Sequence, residues 1–170
     1  MKNNVCCKKN ALFLVMLLTL IFLSTALATA DESSETKTAA GNSVVTYTAM
    51  VQPLFLEKCA GCHGEGSPEH KQFKKDKEGY KARGLGPRMD TYTYLISFVA
   101  WPDTGAVMRR LDDGKNSQTA KQGNMYEHLG DSEQERQDNL KIFQEWIGNW
   151  SLKRWKDSSK KEINQMVLAY

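Results

Sequence analysis

Cys59-Ala60-Gly61-Cys62-His63 constrains this chain more than any other stretch of its 170 residues. Two cysteines two residues apart, with histidine directly after, have the spacing for covalent c-type haem attachment. The chemistry explains the spacing. Two thiols add to the two vinyl groups of one porphyrin, and on a short helical segment the next residue projects its imidazole under the iron. Two other uses of the pattern fit less well. A thiol redox pair belongs in a βαβ context, and no such pattern is visible. A zinc site wants four ligands, usually from a second Cys or His pair. Here Cys6 and Cys7 lie in an apolar N-terminal segment, and His70 and His128 stand alone. One covalently bound haem c is therefore expected, with Cys59 and Cys62 as its thioether links and His63 as the proximal iron ligand.

Residues 1–30 read as a secretory signal peptide. Lys2, Lys8 and Lys9 form the basic start, Ala11 to Leu23 is apolar but for Thr19, and Ala28-Thr29-Ala30 fits the small-x-small cleavage rule. Asp31 is then the new N-terminus. The rival reading is an uncleaved anchor, since Ala11 to Ala30 is just long enough to span a bilayer. Cys6 and Cys7 are lost with a cleaved signal, or are acylation sites on a retained one. No later stretch is long and apolar enough to cross a membrane. Export agrees with the haem motif, because c-type haem is attached outside the energy-conserving membrane. A periplasmic or otherwise exported location follows.

Removing the signal changes the charge argument. The whole chain has 23 Lys+Arg against 20 Asp+Glu, and the signal holds three lysines and no acid. The processed chain is balanced, so the basic precursor gives no ground for a nucleic-acid partner.

About 140 residues remain, enough for one domain and its core. Residues 31–43 are polar and rich in small residues, and read as a flexible linker. Val51, Phe55, Cys59 and Cys62 share one helical face leading into the motif, with Pro53 confined to the first turn. Gly64 to Gly86 reads as a long polar connection, with Lys71, Lys74, Lys75, Lys77, Lys81 and Arg83 against Asp76 and Glu78. That run is either a solvated loop or a docking face for an acidic redox partner. A helix is expected from Asp90 or Thr91 to just before Trp101-Pro102, and a shorter one from a Thr104 cap to Leu111, stopped by Gly114. Ser132 and Glu135 form a capping box for the best-defined helix, whose apolar side carries Leu140, Phe143, Ile147 and Trp150. Ser159 and Glu162 repeat the box near the end. The small face of Ile163, Met166, Val167 and Tyr170 packs either on the core or on a partner. Strand signals are absent, so the expected fold is all-α.

From about Tyr47 to Trp150 the chain resembles a class I, mitochondrial-type monohaem cytochrome c of a bacterial periplasm. The resemblance rests on the lead-in Met50 to Leu56, the pentad with Gly64, Gly86-Pro87-Arg88-Met89, and the aromatic helix from Asp131 to Trp150. It implies a cytochrome c domain over 44–150 around one haem, with 151–170 as a C-terminal helical extension. It also implies that the Pro87 carbonyl accepts the proximal imidazole's hydrogen bond, and that Phe55 lies near Phe143 or Trp146. The chain departs from the family in its long connection after the motif, its tail, and its lack of a Met-Pro pair. Met125, in a loop just before the capped helix, is the first choice for the distal iron ligand. Met108 is the runner-up, Met89 fits the core better, and His128 or an open site are further alternatives.

The leading function is electron transfer in an extracytoplasmic respiratory or redox chain, without catalysis. Partners would be a reductase, oxidase or dehydrogenase; the oligomeric state is unknown from sequence. Two rivals are a haem subunit of a larger oxidoreductase, docked through 153–170, and an open-site haem enzyme or gas sensor.

Overall fold

The computed structural model describes residues 44–170. The expected signal (1–30) and linker (31–43) lie outside the described residues. All regular structure among the described residues is helical.

The first helix enters through a π-turn, Tyr47–Val51, capped by the Thr46 hydroxyl, which accepts from the Ala49 N–H. It runs on into α1, Gln52–Lys58, with Pro53 in the opening turn. There the missing proline N–H costs nothing. Val51, Leu54 and Phe55 point into the core. A short α2, Ala60–His63, carries the pentad.

The stretch read as a loop after Gly64 is instead two short helices, α3 (His70–Lys75) and α4 (Lys77–Ala82). Capping makes them. Glu69 and Gln72 bond reciprocally across the start of α3, and the Asp76 carboxylate accepts from the Gly79 N–H at the start of α4. Next, α5 (Tyr92–Ile96) starts at the expected Thr91 cap but is only five residues long. The following α6, Ala106–Leu111, is not capped by Thr104. Gly105 holds that position at φ 73°, a left-handed conformation that costs glycine little. The Thr104 hydroxyl bonds the Ala100 carbonyl instead. Gly114 lies beyond the end of α6, which the Asp112 backbone closes.

Ser132 caps α7, Glu133–Ile147, by accepting from the Glu135 N–H. The Glu135 carboxylate reaches back to the Asp131 N–H at 2.8 Å and across to Lys58 Nζ at 2.5 Å, so one residue both caps α7 and ties it to α1. Leu140, Phe143, Trp146 and Ile147 are the buried side of α7. They share one core with Val51, Phe55, Leu95, Val99, Met108, Tyr126 and Leu129. Trp150 lies past the helix end, its indole N–H on the Asp112 carboxylate at 3.1 Å.

The Lys58 ammonium, first of its influences, holds Glu135 below its ordinary 4.5, with the Asp131 N–H second. A depressed carboxylate adds stability above its unfolded pKa and loses it as pH falls through the folded one. Replacing Lys58 by Met is therefore expected to flatten the drop in thermal midpoint between about pH 5 and pH 3. Equal acid sensitivity in parent and variant would contradict this coupling.

The end of the tail packs on the core through its backbone and through Met166 and Leu168, while Val167 and Tyr170 of the small face stay 56% and 70% exposed. After α8, Lys160–Asn164, residues 166–170 form a strap without regular secondary structure, with Leu168 at φ 46°. Val167 and Leu168 N–H donate to the Ile147 and Trp146 carbonyls at 3.0 and 2.9 Å. The Ala169 carbonyl accepts from the Tyr47 N–H at 2.8 Å and the Trp146 indole at 2.9 Å, and Leu168 accepts from the Tyr92 hydroxyl at 2.8 Å. Tyr170 closes an aromatic group with Tyr47 and Tyr92, at ring separations of 5.9 and 5.1 Å. At about 1 kcal/mol per net hydrogen bond, plus the apolar cover, deleting 166–170 should cost about 4–6 kcal/mol. The thermal midpoint should fall by more than about 10 °C; an unchanged midpoint would show the strap to be passive.

Candidate haem site

Cys59 breaks the helical path. Its backbone (φ −120°, ψ −26°) ends α1, while its N–H still donates to the Phe55 carbonyl. The chain then winds one further turn, with the Cys62 and His63 N–H groups both on the Cys59 carbonyl at 3.1 and 2.9 Å. A lone turn of Ala-Gly-Cys-His has little helical stability of its own. It is held from outside. The Ser67 hydroxyl donates to the Cys62 carbonyl at 2.9 Å. Gly64 is required at the exit, because a Cβ there would come 2.4 Å from the Ala60 carbonyl oxygen.

Residues 84–90 supply the second wall. Gly86 N–H donates to the Cys62 carbonyl at 2.8 Å, and Met89 N–H to the His63 carbonyl at 2.9 Å. This backbone alignment brings the Pro87 carbonyl 2.8 Å from His63 Nδ1. Nδ1 is then the protonated nitrogen, because a carbonyl only accepts. The lone pair is left on Nε2, which makes no hydrogen bond among the described residues. Gly86 lies directly against the ring: a Cβ on it would sit 2.0 Å from His63 Cε1.

The electrostatics favour the neutral forms of the Cys59 thiol and the imidazole. Burial, with Cys62 nearby, pushes the Cys59 thiol up to about 12. Such a thiol is the opposite of the low-pKa thiolate of a disulfide oxidoreductase. Burial lowers His63, the Pro87 bond opposes that shift, and the charges of His128 and Arg110 lower it further. Neutral imidazole is the ligating form. Among the described residues no three or more His, Cys, Asp or Glu side chains are grouped so as to hold a metal ion.

His128 and Arg110 lie within electrostatic reach of the imidazole. Met125 is tied to Arg110 through the backbone. Its N–H donates to the Arg110 carbonyl at 2.9 Å, and Arg110 Nη1 bonds Asn124 Oδ1. Gly123 allows the approach, since a Cβ there would meet the Arg110 carbonyl oxygen at 2.3 Å. Met125 is half-buried at the edge of the core, Met108 is wholly inside it at 0% exposure, and Met89 is fixed alongside His63. His128 is exposed at the end of a 3-10 turn, Tyr126–Leu129.

Sequence reasoning missed the parts of this site that act by a single hydrogen bond or by close backbone approach. Ser67, Gly86 and Gly123 carry no reactive group, and only the Gly86-Pro87 pair left a trace in the sequence. The observed donors suit a haem. Two half-buried thiols and an imidazole with a fixed tautomer and an unengaged Nε2 are what covalent attachment and axial ligation require.

The family described as PccH cytochrome c matches residues 46–170. The solved structure of monohaem cytochrome PccH from Geobacter sulfurreducens is 53% identical in sequence, aligning over 75% of this chain and 100% of its own, with a TM-score of 0.72. No curated protein matches the chain. The family match extends to residue 170, so it includes the tail that had no counterpart in the general cytochrome pattern.

Proposed function

The chain belongs to the PccH cytochrome c family, a monohaem electron-transfer cytochrome with one covalently attached haem c, and from that premise we propose its ligand set and setting. Cys59 and Cys62 tether the haem, His63 Nε2 is the proximal ligand and Met125 the distal one. The protein is exported by its N-terminal segment and works as a class I-type periplasmic carrier. It passes electrons between a dehydrogenase or reductase and an oxidase, with no substrate chemistry of its own.

The observation that carries this reading is the His63–Pro87 contact at 2.8 Å. A carbonyl on Nδ1–H fixes the ring plane and raises the basicity of Nε2, as outer partners do at metal-bound histidines. When bound, haem c supplies a reversible one-electron iron couple. The residues do the rest. The thioether tethers keep the cofactor in place in both oxidation states. The backbone from Gly84 to Met89 stops the imidazole from rotating. Buried Leu95, Met108, Tyr126 and Phe143 keep water from the interior. Met125, with no proton to exchange, favours electron transfer over ligand exchange.

Among the described residues no helix is long and apolar enough to cross a membrane. Mass spectrometry of protein purified from its native host tests attachment and processing together. One haem added through Cys59 and Cys62, on a chain starting at Asp31, is expected. An unmodified polypeptide would end the carrier reading, and an intact N-terminus would replace the cleaved signal by an anchor.

A further inference from the structure

The segment between α7 and the strap plays no part in the haem site, yet it concentrates charge and an exposed aromatic. Lys153, Arg154, Trp155, Lys156, Lys160 and Lys161 are all exposed, with Asp157 and Glu162 the only acids among residues 151–164. Glu162 is already engaged: Lys153 Nζ lies at 2.6 Å, and the Ser159 N–H and hydroxyl at 2.8 and 2.9 Å. Arg154, Lys156, Lys160 and Lys161 join no ion pair among the described residues. Trp155, on a single 3-10 turn (Trp155–Asp157), is 49% exposed between two cations. A cavity beside it is walled by Trp155 and Ile163 and edged by Lys160, Ser158 and Asn164. Apolar walls and an ammonium thus meet in one open recess.

The basic helices α3 and α4 make an internal contrast. There Lys81 pairs with Glu78, Lys74 faces Asp103, and Arg83 lies 4.5 Å over the Tyr80 ring. Phe73 and Tyr80 turn towards each other at 6.1 Å. That face also leaves Lys71, Lys75 and Lys77 exposed without an ion pair among the described residues, but it turns its aromatics onto each other and onto Arg83; the tail sets an exposed indole beside its free cations.

We propose that the tail face, from Lys153 to Asn164, docks the protein on an anionic phospholipid surface. The free cations meet headgroup phosphates, and Trp155 enters the boundary between headgroups and acyl chains. Indoles settle at that depth, and Lys/Arg clusters are drawn to anionic leaflets. Ile163 and the recess offer the first acyl carbons an apolar seat. The strap, bonded to α7, holds this face in a fixed orientation to the haem domain, so docking confines diffusion to the membrane plane without a spanning helix.

Co-sedimentation with vesicles tests the idea, using the haem-loaded chain from Asp31 onward and following both total protein and Soret absorbance. Missing Soret absorbance would signal failure of the haem reading, separately from binding. Binding to phosphatidylglycerol–phosphatidylcholine vesicles is expected, weakening as salt is raised to about 0.5 M, with none to phosphatidylcholine alone. Each neutralised cation should weaken partition about fivefold, so R154Q/K156Q/K160Q/K161Q should weaken it by on the order of a hundredfold or more. Trp155→Ala should weaken it about tenfold with the cations intact. The control K71Q/K75Q/K77Q should bind as the parent does. Unchanged melting and Soret spectra would show each variant folded. The proposal is overturned by no binding at low salt, by equal binding to neutral vesicles, or by loss in the control rather than in the tail variants. It is equally overturned if polyglutamate binds as tightly as the vesicles and Trp155→Ala changes nothing, which would make the face a site for acidic proteins.

Discussion

Replacing Met125 by Ala is expected to abolish the methionine–iron charge-transfer band of the ferric protein and to lower its potential by on the order of 0.1 V. The three methionines in this region separate by environment. Met108 is fully enclosed in the core, and its amide carbonyl accepts from the Asp112 N–H that closes α6. Moving its sulfur to an iron would open that core. Met89 follows Pro87 and Arg88, with its N–H on the His63 carbonyl, so it belongs to the wall behind the proximal imidazole. Met125 is half-buried with its N–H on the carbonyl of Arg110, which lies within electrostatic reach of His63, so it approaches from outside the pentad's own wall. Paired variants separate ligation from packing. Met108→Ala should cost about 2–5 kcal/mol through a cavity and keep the band. Met125→Ala should lose the band at a smaller cost in stability and bind carbon monoxide readily once reduced. A Met125→Ala protein that keeps the band would hand the distal position to another residue.

The haem motif was legible because its information is local. Five adjacent residues carry two thiols and an imidazole at the attachment spacing, and no folding partner is needed to recognise them. The α7 helix was legible for a related reason: Ser132 and the run from Leu140 to Ile147 combine a cap with one apolar period. Where the sequence misled, the deciding interaction was either too short in range or too long. The stretch after Gly64 has no apolar period, so α3 and α4 were invisible as helices; Glu69 and Asp76 make them by capping single turns. Thr104 has the chemistry of a cap, but its hydroxyl found the Ala100 carbonyl and left the position to Gly105. The strap was undecidable because its bonds reach from Ala169 to Tyr47 and from Leu168 to Trp146, contacts with no sequence period at all. The same limit hid the backbone cradle of His63, which works through amides and the absence of one Cβ.

That absence yields the sharpest structural expectation. Gly86→Ala would put a methyl group 2.0 Å from His63 Cε1, 2.5 Å from Nδ1 and 2.8 Å from Nε2. No rotation of the methyl relieves this, so either the imidazole or the backbone must move. If the imidazole moves, Nδ1 leaves the Pro87 carbonyl and the ring loses its fixed tautomer and plane. If the backbone moves, the Gly86 N–H to Cys62 and Met89 N–H to His63 bonds are strained. Both routes displace the proximal ligand, and overpacking of this kind costs about 1–3 kcal/mol before any loss at the iron. Gly86→Ala should therefore yield haem protein with an altered ferric spectrum and a thermal midpoint lower by about 5–10 °C. Gly66 provides the control two residues past the exit of α2. A Cβ there meets nothing within 4 Å, so Gly66→Ala should match the parent in both readings. If the two variants behave alike, the ring is not seated against the Gly86 backbone, and the cradle described for His63 is wrong.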